Sequence, residues 1–140
     1  MLEFTADDIF RLDPRIRWVG LVEEEGNVLF SGIRPGRDTE SAVDLKEFMR
    51  LNPLLIIGAS ERLTKLTGEV DTVTVACKEE TMHLLRSNRR IMVVSVKNQG
   101  KLSLDGQEPT GKLLTSLKEL MASRDGRPRV LPSNVGDIKQ

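Results

Sequence analysis

The sequence predicts an α+β fold, with elements in the order helix, two strands, long helix, three strands, helix, on three observations. Apolar and β-branched runs at 16–23, 28–33, 69–77, 81–86 and 90–97 have the length and composition of strands. The connections within the first pair and within the last three are only three or four residues, too short for a crossover helix, so neighbours must run antiparallel. Between the two groups, from about Glu40, the apolar spacing changes from two to three and four, which is the period of a helix.

Taken in order, Thr5-Ala-Asp-Asp8 has the pattern of a capping box with a shortened acid, and Ile9 and Phe10 follow it. A helix over about 5–12 should stop before Asp13-Pro14, because the residue before proline is pushed out of the helical region. In the first strand Ile16, Trp18, Gly20 and Val22 alternate with Val19 and Leu21, so both faces are apolar. Glu25-Gly26-Asn27 is turn chemistry, and Arg34-Pro35-Gly36 suits a type II turn that closes the second strand.

The long helix carries Val43, Phe48, Leu51, Leu55, Ala59, Leu63 and Leu66, up to a C-cap at Gly68. Pro53 interrupts it, with Asn52 placed to cap a second segment, so a kink or break is expected there. The apolar IMVVSV run at 91–96 suits the sheet centre. A polar loop, Asn98 to Pro109, precedes a closing helix striped by Leu113, Leu114, Leu117, Leu120 and Met121. Residues 1–123 thus form one domain, and 124–140, with two prolines and no periodicity, read as a flexible or partner-ordered tail.

Composition narrows the function classes. Lys and Arg balance Asp and Glu at 21 each, so no overall field draws the chain to nucleic acid or to an anionic membrane. One cysteine and one histidine leave no set able to close a zinc site or an internal disulfide. The longest apolar run, Leu54 to Ile57, is far short of a membrane span, and the acidic N-terminus is unlike a signal peptide. A cytoplasmic protein without a cofactor is the expectation.

Candidate chemical groups are few. Glu23, Glu24 and Glu25 read as the solvated tip of a hairpin rather than a catalytic or calcium-binding set. Cys77 and His83 flank a turn where a thiol-imidazole pair could form across a hairpin, but a buried small thiol in a strand, with no activating cation, is the simpler reading. Arg34 and Arg37, and then Arg86, Arg89 and Arg90, form two small basic loops that suit a partner surface. Neither has the glycine spacing of a phosphate-cradling loop. Leu54-Leu55-Ile56-Ile57 is more informative: four consecutive apolar residues cover more than a helical turn, so one side can meet the sheet while the other needs a second cover.

The hairpin IRWVGLVEEEGNVLFSG, the long helix ending at Gly68, the strands TVTVACK, TMHLLRS and RIMVVSVK, and the closing helix together resemble the roadblock family over roughly residues 4–123. The most specific piece is Ile-Arg-x-x-Gly-hydrophobic, an acidic Gly turn, and a strand ending in Gly-x-Arg-x-Gly, here Ile16 to Gly36. Within that family the chain is most similar to a group of short, uncharacterised archaeal proteins, and it departs at Pro53 and in the tail. The resemblance implies a five-stranded antiparallel sheet of strand order 2-1-5-4-3, with the long helix on one face and the terminal helices on the other. It also implies a non-enzymatic homodimer in which long helices pair and the strand at 69–77 meets its twin, placing Leu54, Leu55, Ile56, Ile57, Thr72 and Thr74 at the interface. Scaffolding or regulation of a small GTPase is the implied role. An alternative from another class is a small-ligand sensor of PAS type, whose pocket would gather His83, Thr74 and Ser95.

Overall fold

The computed structural model describes residues 4–36, 41–98 and 107–123, so Arg37, most of the expected 98–109 loop and the 124–140 tail lie outside the described residues. The elements are α1 (Ala6–Phe10), β1 (Ile16–Glu23), β2 (Val28–Ile33), α2 (Ser41–Ser60), a 3-10 turn (Glu61–Leu63), α3 (Thr64–Thr67), β3 (Thr72–Ala76), β4 (Glu80–Ser87), β5 (Arg90–Lys97) and α4 (Gln107–Ser123). All four ladders are antiparallel, and the strand order is β2-β1-β5-β4-β3. The order expected from the resemblance therefore holds. IMVVSV lies in the central strand, with residues 91–96 all buried.

Two apolar layers sandwich the sheet. On one face α1 and α4 contribute Ile9, Phe10, Leu113, Leu117 and Met121 to a core with Val19, Leu21, Leu85, Met92 and Val94. On the other, Leu45, Met49 and Ile57 of α2 meet Val22, Leu84, Ile91 and Val93. Gly20 is where α2 comes down on the sheet: a Cβ there would fall 2.4 Å from the Met49 sulfur, and Met49 is itself fully buried. Trp18 lies under this helix, its ring edge-to-face with Phe48 at 6.1 Å between centroids.

Several expectations are corrected. Ile16 does not share a face with Trp18: the pairing of β1 with β5 slips between these residues, and the bulge turns Ile16 into the α1/α4 core. α1 is shorter than expected, with Thr5 as N-cap in a completed capping box with Asp8. Of the kink or break expected at Pro53, the break does not occur, and α2 continues through it from Ser41 to Ser60. One lost backbone bond is tolerated where the ring is buried on the sheet-facing row with Leu45, Met49 and Ile57.

The interruption comes instead after Ser60, whose hydroxyl donates back to the Ile56 carbonyl at 2.9 Å and competes with the backbone ladder. Gly68 does end the helical stretch, at φ +87°. β3 is shorter than expected and β4 longer. α4 begins before Pro109, which sits in the first turn, where a backbone N–H has no intrahelical partner to lose.

Candidate functional site

Two of the basic loop residues, Arg34 and Arg86, prove to be internal fastenings. Arg34 Nε donates to the Ile16 carbonyl at 2.6 Å, and Nη2 donates to the Phe10 and Asp13 carbonyls, each at 2.8 Å. Its guanidinium also lies 5.0 Å from the Phe10 ring centroid. A planar fork is needed to serve the end of α1, the α1–β1 turn and β1 together, which explains arginine at this position. Beside it Arg15 grips Asp13 at 2.6 Å, and that hydrogen bond, with smaller help from the charges of Arg15 and Arg34, holds the Asp13 carboxyl below the usual carboxylate range.

Arg86 is engaged on two sides. Its Nε donates to Glu24 at 2.9 Å, and Nη1 pairs with Glu61. The hairpin tip is therefore not simply solvated: Glu24 ties the β1–β2 turn to β4 and to the end of α2, while Glu23 accepts from Asn27 at 3.2 Å. Arg89 is exposed at φ +67°, next to Asn88 at +55°, in the tight β4–β5 turn. Arg90 is half-buried at the start of β5.

Cys77 and His83 do not meet. The β3–β4 register sets Thr74 opposite His83, with Thr74 Oγ1 and His83 Nδ1 3.0 Å apart, and Cys77, expected as a buried strand thiol, instead lies exposed just beyond the end of β3. Burial pushes the His83 imidazole below its ordinary value of 6.5. Ser95 does not join them in a ligand pocket. It follows Val93 at period two on the α2 face and donates to Glu80 at 2.5 Å, whereas His83 precedes Leu85 on the α4 face. Among the described residues no cluster of three metal-ligating side chains occurs, and no helix is long and apolar enough to cross a membrane.

The feature that stands out is on the far side of α2. Leu51 and Leu55 are 56% and 58% exposed, and Leu63 and Leu66 beyond the helix end are 57% and 82% exposed. The row that gave the helix its period in sequence is thus largely not the row that meets the sheet. The sheet-facing row, Leu45, Met49, Pro53 and Ile57, was masked by its proline. Of the expected interface residues, Leu55 looks outward, Leu54 and Ile56 pack partly against the α2-face core, and Ile57 is buried in it. β3 forms the sheet edge that carries the other two, with Thr72 half-buried and Thr74 exposed.

Solved structures of similar fold include three that cover most of the chain. A Roadblock/LC7 domain from Streptomyces avermitilis is 15% identical with a TM-score of 0.55, covering 84% of this chain and 94% of that one. Myxococcus xanthus MglB is 21% identical with a TM-score of 0.58, covering 86% and 98%. An MglB in a tetrameric arrangement is 16% identical with a TM-score of 0.57, covering 85% and 86%. The fold is that of a roadblock/LC7 domain. No protein-family model and no curated protein matches the chain. In this roadblock/LC7 fold, α2 covers one face of the sheet and β3 lies at its edge.

Proposed function

We propose that this chain is a non-enzymatic homodimeric interaction module of the cytoplasm, pairing through the outer face of α2 and the free edge of β3. The resemblance to short archaeal roadblock-like proteins suggests that the pair scaffolds or regulates a small GTPase, or serves a signalling or transport complex. The observation that carries the reading is the exposure of Leu51 and Leu55 at the middle of a helix whose other side is already packed.

Magnitudes indicate how much of the surface must take part. Burying Leu51 and Leu55 on both chains is worth about 4–6 kcal/mol, which only matches the low end of the cost of association. A stable pair therefore also needs the β3 edge, where Thr72 and Thr74 lie. A tetrameric arrangement in a protein of like fold is consistent with self-association on this scaffold.

Sedimentation equilibrium tests the reading. The wild type should sediment as a two-chain assembly at micromolar concentration, and Leu55→Asp should sediment as a single chain with an unchanged circular dichroism spectrum. Leu55 suits the test better than Ile56, whose side chain also packs against the core. A wild-type chain that stays single at micromolar concentration, or a Leu55→Asp variant that still pairs as the wild type does, overturns it. Which GTPase or other protein binds the pair is read by copurification with the native chain.

A further inference from the structure

His83 is the chain's one histidine, and it lies buried one strand in from the open edge of the sheet. On the α4 face it stands between Val94 of β5 and Thr74 of β3. Its hydrogen bond to Thr74 Oγ1, 3.0 Å from Nδ1, is the only one the imidazole makes among the described residues. Thr74 itself is exposed, because nothing follows β3 in the sheet.

Among the described residues no counter-charge meets the ring. β3 carries no ionisable side chain from Thr72 to Ala76. Asp71, just before it, pairs with Lys118 of α4, and Lys112 and Glu119 of that helix are exposed. On β4, Glu80 accepts from the Ser95 hydroxyl, and Arg86 holds Glu24 and Glu61. Arg90 and Lys97 stand at the two ends of β5. A proton on His83 is therefore carried without compensation, which is why burial already holds the imidazole below 6.5. A strand laid along β3 stands about 4.8 Å beyond it and replaces the water beside Thr74, so pairing takes further solvent from the charged form.

Resting on the homodimer reading above, we infer that His83 makes pairing along the β3 edge sensitive to acid: two chains join with both imidazoles neutral and loosen when these take protons. Because the pair holds the proton less readily than the single chain, association weakens as pH falls through the single-chain value. The weakening ends once the value in the pair is passed, and there is none above the first. Each pair carries two such rings, so the effect counts twice in the free energy of association. A protonated ring also donates at both nitrogens, so Thr74 Oγ1 can only accept from it, which alters what the edge offers a partner strand. Asp71, held below the usual carboxylate range by the Lys118 ammonium, stays charged throughout.

Sedimentation at about pH 7.5 and about pH 5.5 tests the switch. At the lower pH the wild-type dissociation constant should rise about tenfold or more with an unchanged circular dichroism spectrum, and that of His83→Gln, which takes no proton, less than about twofold. The single histidine also reports directly by nuclear magnetic resonance. Its signal should titrate at a lower pH in the wild-type pair than in the single-chain variant Leu55→Asp, a measurement that stands even where His83→Gln does not fold. A wild-type pair equally tight at both pH values, an equal weakening in His83→Gln, a protomer that unfolds at the lower pH, or a histidine that titrates alike in paired and single chains overturns the switch and leaves the homodimer standing. A wild-type chain that does not pair at the higher pH overturns both.

Discussion

α4 and α2 each lay a row of side chains on the sheet at four-residue spacing, and they differ on the side that looks away from it. Leu113, Leu117 and Met121 of α4 are buried, while Lys112, Thr115 and Glu119 on its outer side are exposed polar groups. α2 buries Leu45, Met49, Pro53 and Ile57 in the same manner, yet its outer side shows Leu51 and Leu55 to solvent. The α4 face is closed within one protomer. The α2 face has a finished inner layer and an unfinished outer one, and burial of apolar area is what a second surface has to offer it. Two helices of similar length thus differ in what they leave uncovered: polar groups on α4, leucines on α2.

The sharpest way to break the comparison is to truncate one leucine from each side. Leu117→Ala removes a fully buried side chain from the closed face and should destabilise the protomer by about 2–5 kcal/mol in urea unfolding. If it costs no more than Leu55→Ala under the same conditions, the two faces are not different in kind.

Arg34→Ala should come next. It strands three carbonyls that one guanidinium serves, with an expected loss of about 2–3 kcal/mol. Arg34→Lys should recover only part, because a single ammonium cannot reproduce the fork. Full recovery by lysine would show that charge, rather than geometry, is what the α1 end requires.

Titration sharpens the comparison on the α4 side. Burial depresses the His83 pKa, so the unfolded chain binds a proton near 6.5 where the folded chain does not. Stability should therefore fall as pH drops below 6.5 and go on falling until the folded-state pKa is passed, with no such loss above 6.5. Urea unfolding at about pH 7.5 and about pH 5.5 should show this loss in the wild type and a smaller one in His83→Gln. An equal loss in both assigns the slope to other groups.

The smallest effect on the fold should come from Leu55→Ala. An exposed side chain on a helix that already packs elsewhere should change protomer stability by no more than about 0.5 kcal/mol. Its association constant should fall all the same. A loss of stability near that of Leu117→Ala would place Leu55 in the protomer core instead.

Much of this architecture is legible in the chain. Connections of three or four residues force antiparallel neighbours, and a clean apolar stripe defines α4 because its other positions are polar. The outer face of α2 was harder to read, since apolar residues at 48, 49, 51, 54, 55, 56 and 57 fit more than one facing row. Only the packed row tells which leucines are left over.

Basic loop residues show the same limit. Arg34 and Arg86 look alike in a sequence, as arginines near turns, but one caps carbonyls and the other joins Glu24 to Glu61. Their partners all lie 18 or more positions away along the chain and belong to other elements or turns.

What the sequence determined by itself is local: which segments form helices and strands, and which turns close them. Propensity, periodicity and turn chemistry act over a few residues and can be read in order. Tertiary structure alone decided the bulge that moves Ile16 to the other core, the passage of α2 through Pro53, the internal duties of Arg34 and Arg86, and which face of α2 stays open. Each of these depends on what the rest of the chain brings within contact distance, and contact across a sheet is not encoded at any fixed spacing.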